Sequence, residues 1–136
     1  MKGLFKMKSR IHIFKINKGV IFSSSSEDEI SLVKKYCLSA KIPVCFLNSE
    51  NYGKNIKEIS QNFSLYSSEN ISKTNTQFLV LCGFSGSEIN HFLDYLNSNG
   101  LSIPLKCTAT QMNVSMTVSE CIECIKEEHL QMHKND

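Results

Sequence analysis

A chain of 136 residues with 41% hydrophobic and 21% charged residues is long enough to bury one real core and fits one domain. Its net charge of +2 is too weak a field for a nucleic-acid or anionic-membrane surface, and Arg10 is the only arginine available for bidentate phosphate or guanine readout. No apolar run approaches the roughly 18 residues a membrane span requires, and no apolar segment follows the charged Met1–Arg10 stretch as a secretory signal would need.

The reading is therefore a cytoplasmic protein with no membrane or nucleic-acid partner. Its six cysteines, Cys37, Cys45, Cys82, Cys107, Cys121 and Cys124, are expected to be reduced. Most of them sit inside apolar patterns, where a free thiol behaves as a small hydrophobe.

Residues 1–9 read as a loose arm, ahead of a single domain over 10–136. Ile11, Ile13 and Ile16 alternate with polar neighbours, Asn17-Lys18-Gly19 is a turn signal, and Val20-Ile21-Phe22 is a second apolar run. Together these predict a β-hairpin, or else a single strand drawn from one of the two runs. Ser26 with Glu29 forms a capping-box pattern opening a helix to about Ala40, with Ile30, Val33, Cys37 and Ala40 at helical spacing. Ile42–Leu47 reads as a buried strand opened by Pro43, and a short helix follows around residues 54–61. Residues 63–76 are rich in Ser, Asn and Thr and read as a linker between a first half (10–62) and a second (77–136).

Phe78–Cys82 is apolar throughout, as in a central strand covered on both faces. Ser85 with Glu88 is a second capping box, Ile89, Phe92, Leu93 and Leu96 make the helix's apolar stripe, and Asn99-Gly100 stops it. A strand over Ile103–Thr110 and a final helix over Met116–Met132 complete the chain. Two similar β-α-β-α halves, the pattern of an internal duplication, predict an α/β fold. Its three layers enclose a mostly parallel sheet with right-handed crossovers, and the N-terminal strand is expected at an antiparallel edge.

The second half resembles a family of small bacterial proteins catalogued only as a domain of unknown function. The resemblance rests on Leu81-Cys82-Gly83-Phe84-Ser85, on Pro104-Leu105-Lys106, on Thr110-Gln111-Met112-Asn113, on Met116-Thr117 and on Lys126-Glu127-Glu128-His129. The family pattern has Pro, Thr and Trp where this chain has Gln111, Met112 and Met116. A weaker likeness in the first half rests on Tyr52-Gly53. The resemblance implies no activity.

No constellation reaches a named reaction, so no catalytic residue, cofactor or metal ligand is assigned. The functional expectation is a non-enzymatic module acting through protein association, including self-association, in part through Tyr95 on the second-half helix. An alternative is a small-anion site at the strand carboxyl ends formed by Gly83, Ser85, Lys106, Thr110 and Asn113. Against it, the Gly-Phe-Ser turn reads equally as a tight turn with a helix cap, Lys106 as an edge-strand lysine, and Asn113 as a cap. A third reading is a thiol or metal protein through Cys121 and Cys124. That pair lies inside a helix rather than at its N-terminus, where a helix dipole would activate a thiol. His129 and His133, four apart on one helical face, read as part of a frayed tail.

Overall fold

The computed structural model describes residues 16–63 and 76–134. It is an α/β domain with one four-stranded mixed sheet and helices on both faces. In chain order the elements are β1 (Gly19–Ser23), α1 (Glu27–Ala40), β2 (Val44–Phe46), a 3₁₀ turn (Ser49–Gly53), α2 (Ile56–Gln61), β3 (Phe78–Cys82), α3 (Gly86–Ser98), β4 (Lys106–Thr108) and α4 (Val118–Lys134). The strands lie in the order β2-β1-β3-β4. The β1–β2 and β3–β4 pairs are parallel, and the central β1–β3 pair is antiparallel.

The extra first strand, residues 10–16, that was expected at an antiparallel edge lies outside the described residues except for Ile16. Gly19–Ser23 occupies the centre of the sheet, and its antiparallel partner is β3. Its side chains are all buried because helices cover both faces. Residues 10–15, the other arm of the expected hairpin, lie outside the described residues, as do 64–75 of the expected linker. The expected strand Ile103–Thr110 shortens to Lys106–Thr108, because Pro104 offers no N–H to a ladder and the chain bends there.

The two halves are copies related by a twofold axis through the middle of the β1–β3 pair. Ile21 pairs with Val80 on the axis, and Val20↔Leu81 is mirrored by Phe22↔Leu79. The equivalence holds in individual hydrogen bonds. The Leu47 N–H donates to the Phe22 carbonyl at 2.9 Å, and its counterpart Ala109 donates to Leu81 at 2.9 Å. Ile42 donates to Cys37 at 2.8 Å at the end of α1, as Leu101 does to Leu96 at 2.9 Å at the end of α3. Both helices end in a left-handed residue, Lys41 (φ 58°) in the first copy and Gly100 (φ 81°) in the second. Across the axis, Ile56 donates to Met116 at 3.1 Å and Val118 to Lys54 at 2.9 Å.

Two cores follow from this layering. Val20, Phe22, Leu79 and Leu81 face α1 and α3, where they pack on Val33, Cys37, Phe92 and Leu96. Ile21, Val80 and Cys82 face the other way, onto Ile56, Ile59, Val118, Cys121 and Ile122 of α2 and α4. The period-two alternation of each central strand thus feeds both cores at once. No helix among the described residues is long and apolar enough to cross a membrane.

Candidate functional site

The alternative anion-binding reading gathers its site at the carboxyl ends of β3 and β4. Gly83 follows β3 with φ +69°, and a Cβ there would come 3.0 Å from the Cα of Lys18. Glycine is therefore required both by the dihedral and by the close approach of the chain entering β1. Ser85 caps α3. Its hydroxyl accepts from the Glu88 N–H at 3.3 Å, and the Glu88 carboxylate accepts from the Ser85 N–H at 2.8 Å. The other Glu88 oxygen pairs with Lys18, whose ammonium also lies 5.5 Å from the Phe84 ring centroid.

Thr110 and Asn113 lie beyond β4 at the same end of the sheet but lead to α4, on the opposite face from α3. Their polar atoms are engaged with each other. The Thr110 N–H donates to Asn113 Oδ1 at 2.8 Å, the Asn113 N–H to Thr110 Oγ1 at 3.3 Å, and Asn113 Nδ2 to the Thr108 carbonyl at 3.0 Å. Asn48 and Asn51 make the same reciprocal box in the first copy. Lys106 pairs with Leu79 at the opening end of both strands, and its Nζ donates to the Ile103 carbonyl at 2.8 Å. The structure thus brings Gly83 to Ser85 and Thr110 to Asn113, with Lys106 at the far end of β4.

Cys121 and Cys124 separate. Cys121 is 1% exposed and faces the sheet, whereas Cys124 is exposed on the outside of α4. The nearest thiol to Cys121 is that of Cys107 on β4, Sγ to Sγ 3.9 Å. Among the described residues no group of three His, Cys, Asp or Glu side chains is placed to hold a metal ion. Thr117 and Glu120 cap α4 reciprocally, and these hydrogen bonds hold the Glu120 carboxyl below its ordinary range.

The surface that sequence reasoning only partly anticipated is the outer layer formed by α1 and α3. Tyr36 and Tyr95 are equivalent positions of the two copies, and their rings meet across the axis with centroids 4.9 Å apart. Tyr36 also contacts the Phe92 ring at 4.7 Å, and its hydroxyl lies 2.8 Å from His91 Nδ1. Burial raises the Tyr36 phenol above its ordinary value, so at neutral pH it keeps its proton. Beside this cluster a shallow cleft of about 430 Å³ is lined by Lys18, Tyr36, Phe84, Glu88 and His91 among others. Lys35 and Asp94, also equivalent positions, are both exposed on this layer. The signal that could have located the face is the matched helical spacing from Ser26 to Tyr36 and from Ser85 to Tyr95.

Residues 77–132 match the family model described as a domain of unknown function (DUF3783). The resemblance read in the second half is therefore borne out, and the weaker likeness at Tyr52-Gly53 lies outside the matched residues. No curated protein and no solved structure matches the chain significantly.

Proposed function

We propose that the protein is a non-enzymatic module that acts through association, and that its contact surface is the α1/α3 layer, with a second copy of the chain as the partner. The observation that carries this reading is the Tyr36–Tyr95 ring pair, half-buried at the twofold axis, with His91 beside it. Tyrosines of this kind supply large rigid contact area at low entropic cost and concentrate at association surfaces. Charge supports a second copy in particular. Lys35 of α1 and Asp94 of α3 occupy equivalent positions with opposite sign. Laying α1 of one molecule on α3 of another puts each lysine opposite an aspartate, twice, as an isologous contact requires.

The anion-binding alternative is less well supported, because the polar atoms of Ser85, Thr110, Asn113 and Lys106 already serve caps and carbonyls within the chain. In this reading the module works in the cytoplasm. Sedimentation velocity over a dilution series tests it. The intact chain should sediment as a dimer that dissociates on dilution. Tyr95→Asp, with its helical circular dichroism intact, should weaken the dimer by tenfold or more. A chain that is monomeric throughout, or a Tyr95→Asp variant as dimeric as the original, would overturn the reading.

A further inference from the structure

We propose that Cys107 and Cys121 form an oxidation site, in which a small peroxide converts the two thiols to a disulfide that ties α4 to the edge strand β4. The two sulfurs lie 3.9 Å apart, on elements that meet in the core. Bonding requires them to close to about 2.05 Å. Cys107 belongs to a three-residue strand that has one sheet neighbour among the described residues, and so short a strand is the easier of the two elements to shift. Cys121 lies in the first turn of α4 and is fixed by its packing. Cys107 is half-buried and Cys121 is 1% exposed, so peroxide enters past Cys107 and reaches the Cys121 sulfur as β4 shifts.

The pair is a property of the second copy alone. Cys107 corresponds to Cys45, but Cys121 corresponds to Ile59, so the first copy has one thiol facing a hydrocarbon. The other core thiols are unreactive for a physical reason. Burial pushes Cys37, Cys45 and Cys82 each up to about 12, so none carries appreciable thiolate at neutral pH. Cys121 moves the other way, because its contact with the Cys107 thiol favours the thiolate, while the same contact raises Cys107.

The chemistry balances with hydrogen peroxide as the oxidant. The Cys121 thiolate attacks one peroxide oxygen, the O–O bond breaks, and hydroxide leaves to give a sulfenic acid at Cys121. The Cys107 sulfur then attacks the Cys121 sulfur, the S–O bond breaks, and water leaves with the Cys107 proton. Two electrons pass from the thiols to peroxide. Two protons, one from each thiol, complete the two waters formed.

Hydrogen peroxide treatment of the folded chain, followed by denaturation, alkylation and peptide mass spectrometry, tests this. The expected product is 2 Da lighter before alkylation (the loss of two hydrogens). Of the six cysteines, four should then alkylate, and a Cys107–Cys121 crosslinked peptide should appear that dithiothreitol removes. Cys124→Ser should leave that crosslink unchanged. Cys107→Ser, at the half-exposed and more tolerant position, should abolish it. Cys107 and Cys121 both alkylated, with no crosslink between them, at peroxide levels that already oxidise exposed Cys124 would overturn the proposal. So would a crosslink that joins Cys124 to another cysteine.

Discussion

Duplication lets individual residues be judged against their own counterparts. Lys41 and Gly100 end equivalent helices in the same left-handed conformation, which costs a side-chain-bearing residue about 1 kcal/mol and glycine little. Lys41→Gly should therefore stabilise the fold by up to about 1 kcal/mol, read as a higher urea midpoint with an unchanged slope. Gly100→Ala should cost about 1 kcal/mol, since a Cβ there meets open space and only the dihedral is strained. Gly83→Ala should cost more than Gly100→Ala, because the added carbon also presses on the backbone of Lys18. Equal losses at the two glycines would mean that the chain entering β1 yields freely.

Elements differ in how openly the sequence announces them. Phe78–Cys82 reads as a central strand and is one, with the same bounds, because a strand buried on both faces needs an unbroken apolar run. The helix over residues 86–98 was equally legible, through its capping box and the Phe92 and Leu96 stripe. The site was less so. Thr110 and Asn113 have the residue types of a ligand site, but a polar pair three apart also forms a reciprocal turn, and only the folded chain shows where its hydrogen bonds go. The thiol partners were hidden for a related reason. Cys121 and Cys124 are close in sequence, whereas the contact of Cys121 with Cys107 crosses between a helix and a strand. Energetically α3 is held by its core face. Phe92→Ala, at a fully buried ring, should lose about 3–5 kcal/mol, against about 1 kcal/mol for removing the cap in Ser85→Ala. Comparable losses in chemical denaturation would show that the stripe contributes less than its burial implies.

At the scale of the whole molecule, the fold is two β-α-β-α units that complete one sheet by pairing β1 with β3 antiparallel. The sequence displayed the repeat, because the capping serines, the helical stripes and the strand runs recur in order. It did not display that the copies meet β1 to β3 across a twofold axis, since strand pairing between halves leaves no local signal. A unit lacking its mate exposes the edge of a fully apolar strand, which invites pairing with another chain. Residues 76–136 expressed alone should therefore form a homodimer through β3, with Val80 on a true twofold axis. A folded, monomeric fragment in sedimentation equilibrium would contradict this account of the assembly.

The association reading adds a contact on a different surface, and a charge exchange across it is the most direct test. Sedimentation velocity would be compared for the intact chain, for Asp94→Lys, and for Asp94→Lys combined with Lys35→Asp. Both positions are exposed, so the substitutions leave the cores untouched. The account predicts a dimer, then a monomer as lysine faces lysine, then a dimer again once the signs are exchanged. A dimer indifferent to Asp94→Lys, or a double variant that stays monomeric, would contradict the placement of the contact on α1 and α3.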